Sequence, residues 1–185
     1  MYRIRFRLRG IAPILFHRFT EKAASDGDSG ATGGKLTMKA KLDEAMDAVY
    51  RNGTGLYLPA GNLEPCLVFG AKKAGLKRGK ASLAAFLDAT VFCEERELSF
   101  GVSEPDGIHE VRGRRPPKTG GAMIIRRPML KEGWSVSGHL VVTEDYQPPE
   151  QVRQALEAAG LFVGLCDWRP KYGRFVVEEF EVVAA

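Results

Sequence analysis

Sixteen consecutive residues near the C-terminal end, Gly160-Leu161-Phe162-Val163-Gly164-Leu165-Cys166-Asp167-Trp168-Arg169-Pro170-Lys171-Tyr172-Gly173-Arg174-Phe175, gather side-chain types that suit a phosphate backbone. Glycines let a main chain come close to an anion and offer unhindered N–H donors. Gly164 and Gly173 are placed for that approach, and Gly160 is expected to end a helix. Arg169, Lys171 and Arg174 can meet phosphate, while Trp168 or Tyr172 can stack on an unpaired base. A tight loop around a core tryptophan is the alternative reading of the same residues. Groups for catalysis are sparse. His109 and His139 have no partner at ligand spacing, and no P-loop, Gly-x-Ser-x-Gly elbow or His-Glu-x-x-His helix occurs. Cys66, Cys93 and Cys166 are odd in number and lack a Cys-x-x-Cys pair, which predicts buried free thiols and neither a disulfide framework nor a zinc site. No metal or cofactor is expected.

Charge is mild in total and uneven along the chain. Lys plus Arg exceed Asp plus Glu by 27 − 23 = 4, with a sequence pI of about 9.0, a balance compatible with an anionic partner without demanding one. Residues 72–80 hold Lys72, Lys73, Lys77, Arg78 and Lys80 with no acid among them, and residues 112–131 add Arg112, Arg114, Arg115, Lys118, Arg126, Arg127 and Lys131. Glu178, Glu179 and Glu181 gather at the other extreme. Together these segments point to single-stranded nucleic acid, with RNA and single-stranded DNA both open. The N-terminus alternates Arg with apolar residues, and no long apolar run follows, so a cytoplasmic protein without signal peptide or membrane span is expected.

The elements that must hold these residues follow from periodicity. Tyr2, Ile4, Phe6 and Leu8 alternate with Arg3, Arg5, Arg7 and Arg9, which predicts a strand half-buried in a sheet. Its cationic face could contact nucleic acid or pair with the C-terminal glutamates. Residues 20–35 are expected to form a mobile loop around the Gly-, Ser- and Asp-rich stretch Ser25 to Gly34. Helical spacing from Leu36 to Arg51 ends before Gly53, and a short strand from Leu56 to Leu58 leads to a helix capped by Asn62 that runs to about Ala74. A helix over Ser82 to Ala89, strands over Val91 to Phe100 and Ile108 to Arg115, and a return over Ala122 to Arg127 come next. Residues 108–127 thus read as a long basic hairpin. A strand around Trp134 to Val142, a helix from Pro149 to Ala159 and a strand from Arg174 to Val183 complete the chain. The order predicts one α+β domain over 1–185: a ferredoxin-like (RRM-like) split βαβ antiparallel sheet, helices on one face and a projecting β-hairpin.

Two segments resemble a known family. The glycine-rich run ending in Gly173-Arg174-Phe175 before the last strand resembles the hallmark loop of the RAMP (repeat-associated mysterious protein) superfamily of CRISPR-associated RNA-binding proteins. Leu58-Pro59-Ala60-Gly61-Asn62-Leu63-Glu64-Pro65-Cys66-Leu67 is similar to the turn and helix of backbone subunits of CRISPR effector complexes, departing from it at Glu64 and Pro65, where the family shows Lys and Gly. The resemblance implies a ferredoxin-like palm, a helical homo-oligomer along a guide RNA beside other effector subunits, and a thumb for which 108–127 is the candidate. It also implies two alternatives for chemistry. His17, just after the first strand, occupies the place of the general acid/base of metal-independent processing endoribonucleases, though a packed histidine is the plainer reading. Asp26 and Asp28 resemble the loop aspartate of target-cleaving subunits, in a kind of loop that is itself commonplace. A single-strand DNA-binding accessory of a phage or mobile element is the remaining alternative.

Overall fold

Alternation decides the first element. In β1 (Tyr2–Gly10), Ile4, Phe6 and Leu8 are fully buried while Arg3, Arg5, Arg7 and Arg9 face outward, as a strand with one covered face requires. The computed structural model describes residues 1–18, 38–114, 121–145 and 147–183. The expected loop 20–35, with Asp26 and Asp28, and the hairpin tip with Arg115 and Lys118 lie outside the described residues.

β1 lies between β12 (Phe175–Val183) and β11 (Ser135–Val142), and β7 (Val91–Cys93) adjoins β11. The resulting sheet, ordered β12-β1-β11-β7, is antiparallel at every pairing. Between β1 and β12 the register slips after Arg7, leaving Glu178 as an extra residue, a β-bulge. Two helices bury the apolar face. Leu63, Cys66 and Leu67 of α2 (Ala60–Lys73) and Val152, Ala155, Leu156 and Ala159 of α4 (Pro149–Phe162) join Ile4, Phe6 and Leu8 in one core. The helices meet at Gly70, where a Cβ would lie 2.6 Å from the Ala155 carbonyl oxygen.

The remaining elements frame this core. β2 (Ile14–Leu15) pairs with β10 (Ala122–Leu130), which pairs with β9 (Gly107–Arg114) from Ala122↔Arg114 to Met129↔Gly107. Phe16 packs edge-on against Phe100, and Phe100 against Trp134, whose indole N–H donates to the Ala12 carbonyl at 2.8 Å. α1 (Met38–Met46) precedes a three-stranded sheet of β3 (Arg51–Asn52), β4 (Gly55–Pro59) and β8 (Glu97–Ser99). The hairpin of β5 (Lys77–Arg78) and β6 (Ala81–Ser82) links α2 to α3 (Leu83–Thr90). The architecture is α+β with antiparallel sheets and, among the described residues, four helices.

Several boundaries differ from expectation, each for a local reason. The helix expected to reach Arg51 stops at Met46, because Arg51 and Asn52 enter a hairpin with Gly55 and Leu56, and Gly53 belongs to that turn. Asn62 lies inside α2, not at its cap, since the helix already starts after Pro59. The strand expected over Val91 to Phe100 is two strands in different sheets, β7 on β11 and β8 on β4. Gly160 does not end a helix. It lies within α4, where a Cβ would fall 2.1 Å from the Phe175 carbonyl oxygen, so the bare backbone lets the helix seat on β12.

Candidate nucleic-acid interface

Between α4 and β12 the chain folds back on itself. Leu165 N–H donates to the Gly173 carbonyl at 2.9 Å, Gly173 N–H to Pro13 at 2.8 Å, and Asp167 N–H to Leu15 at 3.0 Å. Gly164 and Gly173 have φ of 77° and 70°. A Cβ on Gly173 would lie 2.0 Å from the Leu165 carbonyl oxygen, and one on Gly164 2.6 Å from that of Tyr172. The approach these glycines permit is therefore of the loop to itself, not one held open for an anion. Cys66 closes the base, its thiol donating to the Gly164 carbonyl at 3.2 Å. Burial pushes the thiols of Cys66, Cys93 and Cys166 up to about 12. All three cysteines are free, as expected; Cys66 is buried and the other two are partly so.

The pinched loop turns its polar side chains outward. Trp168 is not a core tryptophan: its φ is 56°, and 37% of its surface is exposed. Arg169, Lys171 and Arg174 are exposed, with the Lys171 ammonium 5.9 Å from the centre of the Tyr172 ring. Tyr172 is tied down. Its hydroxyl lies 2.9 Å from His109 Nε2, with the two rings 5.1 Å apart. Asp167 accepts from Arg127 Nε at 2.7 Å, and His109 and Arg127 are directly opposed across β9 and β10. One cross-strand pair at the base of the hairpin thus grips two residues of the loop.

His17 joins this junction, its Nδ1 3.6 Å from Asp167 Oδ2. Burial, and then the Arg127 guanidinium, hold its imidazole below the ordinary histidine range against the opposing pull of Asp167. With half its side-chain surface exposed, His17 is not a packed core residue. Asp167 and His109 were not marked by the sequence as site residues. The one available signal was that Asp167 is the lone acid in a basic run.

Elsewhere the sheet's cationic face is balanced by acids. Arg3 pairs with Glu94 at 2.7 Å, Arg5 with Glu181 at 2.5 Å, Arg7 with Glu178 at 3.5 Å and Glu179 at 4.0 Å, and Arg9 with Glu178. The pairing with C-terminal glutamates, one of two expectations for this face, is present. Arg126 pairs with its cross-strand neighbour Glu110. Arg78 meets Glu144 at 3.2 Å and lies 4.6 Å above the Phe86 ring. Lys72 and Lys73 are exposed in the last turn of α2, and Lys77 and Lys80 on the β5–β6 hairpin. Arg114 ends β9. His139, on the inner strand β11, bonds Glu95, two residues past the end of β7, at 2.7 Å.

The sequence matches no protein-family profile and no curated protein. Among solved structures, the chain is similar to one in the cryo-EM structure of the Type III-B Cmr-beta bound to cognate target RNA, with a TM-score of 0.57 and 9% sequence identity. The match covers 99% of this chain and 61% of the other, so this chain spans less than two thirds of its neighbour's length. The likeness is one of fold. Among the described residues, no helix is long and apolar enough to cross a membrane.

Proposed function

We propose that this protein is a single-stranded RNA-binding subunit of a CRISPR-type ribonucleoprotein, a member of the RAMP superfamily that assembles along the guide RNA. The carrying observation is the loop of residues 163–174, folded back by backbone hydrogen bonds to itself and to Pro13 and Leu15, with Trp168, Arg169, Lys171 and Arg174 all exposed on it. A preformed platform of cations beside an aromatic ring binds a flexible strand without first having to be ordered. The strand order β12-β1-β11-β7, with α2 and α4 as crossovers, supports a ferredoxin-like palm. The β9–β10 hairpin is the candidate thumb, and the fold likeness to a chain of an RNA-bound Cmr-beta complex supports the RNA-binding reading. Retention of RNA that falls steeply with salt, as phosphate binding releases counterions, is the expected result. A monomer that retains no RNA at roughly 0.1 M salt, where the Debye length is about 10 Å, would rule the proposal out. Competition by excess single-stranded DNA separates the RNA reading from the DNA one, since only RNA has the 2′-hydroxyl.

His17 favours a second reading, a metal-independent RNA-processing endoribonuclease. A neutral imidazole with a carboxylate 3.6 Å from Nδ1 is suited to accept a proton from a 2′-hydroxyl. Loss of repeat-RNA cleavage in His17→Ala, with binding retained, is the outcome this reading requires.

A further inference from the structure

On the side of the loop where α2 ends, two aromatic rings are left partly uncovered. Phe69 of α2 is 48% exposed and Phe162 of α4 is 49% exposed, as is its neighbour Leu161, while the apolar residues earlier in α4, Val152, Ala155, Leu156 and Ala159, are buried in the core. They line one shallow pocket of about 230 Å³ together with Lys73, Val163, Arg169 and Pro170. Among the described residues neither ring is in contact with another aromatic ring, and neither Lys73 nor Arg169 has a carboxylate partner. Among the described residues no carboxylate lines the pocket.

We propose that this pocket takes one unpaired nucleobase of a bound RNA strand, stacked against Phe69 and Phe162, with the flanking phosphates on Lys73 and Arg169. The inference rests on the RNA-binding reading above and extends it to a surface beyond the outward residues of the loop. Aromatic faces accept any base, and cations at the rim fix the backbone that carries it. Charge decides against a symmetric contact between two copies of this chain as the occupant. A self-complementary contact would bring Lys73 and Arg169 of one molecule against the same pair of the other, and such like-charge juxtaposition opposes association. Arg169 borders both the pocket and the loop platform, so one strand can pass from Trp168 over Arg169 onto the pocket.

The test uses the full chain and a short fluorescent oligouridylate, together with its 5-iodouridine form for photocrosslinking. Phe69→Leu and Phe162→Leu keep apolar bulk at exposed positions but remove the ring. Each is expected to weaken binding roughly tenfold while leaving the salt slope unchanged, with Phe69→Trp restoring affinity. Crosslinks are expected at Phe69 or Phe162. If the parent protein binds no oligouridylate at low salt, the RNA-binding reading itself falls. If the parent binds, but both Leu variants bind equally well and crosslinks map elsewhere, that reading stands and the pocket assignment is overturned. A change in sedimentation of the Leu variants without RNA, at unchanged RNA affinity, also overturns it and makes the pocket a contact between copies.

Discussion

Asp167 is shared by two bases of different strength, and that sharing is measurable. Arg127 holds the carboxylate through its Nε, and His17, half-exposed, sees both charges. With its folded pKa below the usual 6.5, His17 favours the neutral imidazole, so its contribution to stability is present above pH 6.5 and is lost as pH falls through the folded value. Imidazole NMR titration should place the His17 midpoint below 6.5, raised by Arg127→Ala and lowered further by Asp167→Asn. The platform residues divide in the same way. Arg169→Ala should weaken RNA binding at low salt and flatten the salt slope by about one unit, whereas Trp168→Ala should weaken it with little change in slope. The thiols offer an independent check on packing. Burial holds all three near 12, so alkylation by iodoacetamide at pH 8 should be slow in the native protein and fast in urea.

Elements are where the glycines matter. In α2, Gly61 faces open space, while a Cβ on Gly70 would lie 2.5 Å from the Ala159 backbone nitrogen. Alanine should therefore act in opposite directions within one helix. Gly61→Ala should raise unfolding stability by up to about 1 kcal/mol, and Gly70→Ala should lower it by about 1–3 kcal/mol, both read by urea denaturation. Gly173→Ala combines a left-handed φ with a blocked site and should cost about 2–4 kcal/mol. The strands with one covered face, β1 and β11, were legible because burial on a single face imprints a period of two. Helix α4 was legible to within a turn. What escaped was set by partners distant in sequence. Val91 to Phe100 is one β-rich run, yet its halves pair with β11 and β4, and nothing local marks the change of sheet. Gly160 has the composition of a helix stop, but its position is dictated by Phe175 across the interface. The clamp of His109 and Arg127 on Tyr172 and Asp167 depended in the same way on a register visible only after folding.

For the whole molecule, the distribution of paired and unpaired charge outweighs the net excess of four. The four arginines of β1 are matched by glutamates from β12 and the β7 end, whereas Lys72 and Lys73 at the end of α2, Lys77 and Lys80 of the β5–β6 hairpin, and Arg169, Lys171 and Arg174 of the loop stand exposed outside that pairing. The sequence showed the segregation of charge but not this cancellation, because Glu178 and Arg9 are brought together only by an antiparallel register. Sedimentation should show a slow, salt-insensitive species without RNA and faster species whose size tracks the length of added single strand. The bulge at Glu178 bears on how such copies could meet. β12 is an outer strand of the main sheet, and its irregular backbone, with acids at 178, 179 and 181, presents a poor template for another strand. The opposite margin, β7, offers only three residues. Protomers are thus discouraged from merging their sheets into a continuous ribbon, and a filament of this chain would be spaced by the nucleic acid rather than welded through its backbones.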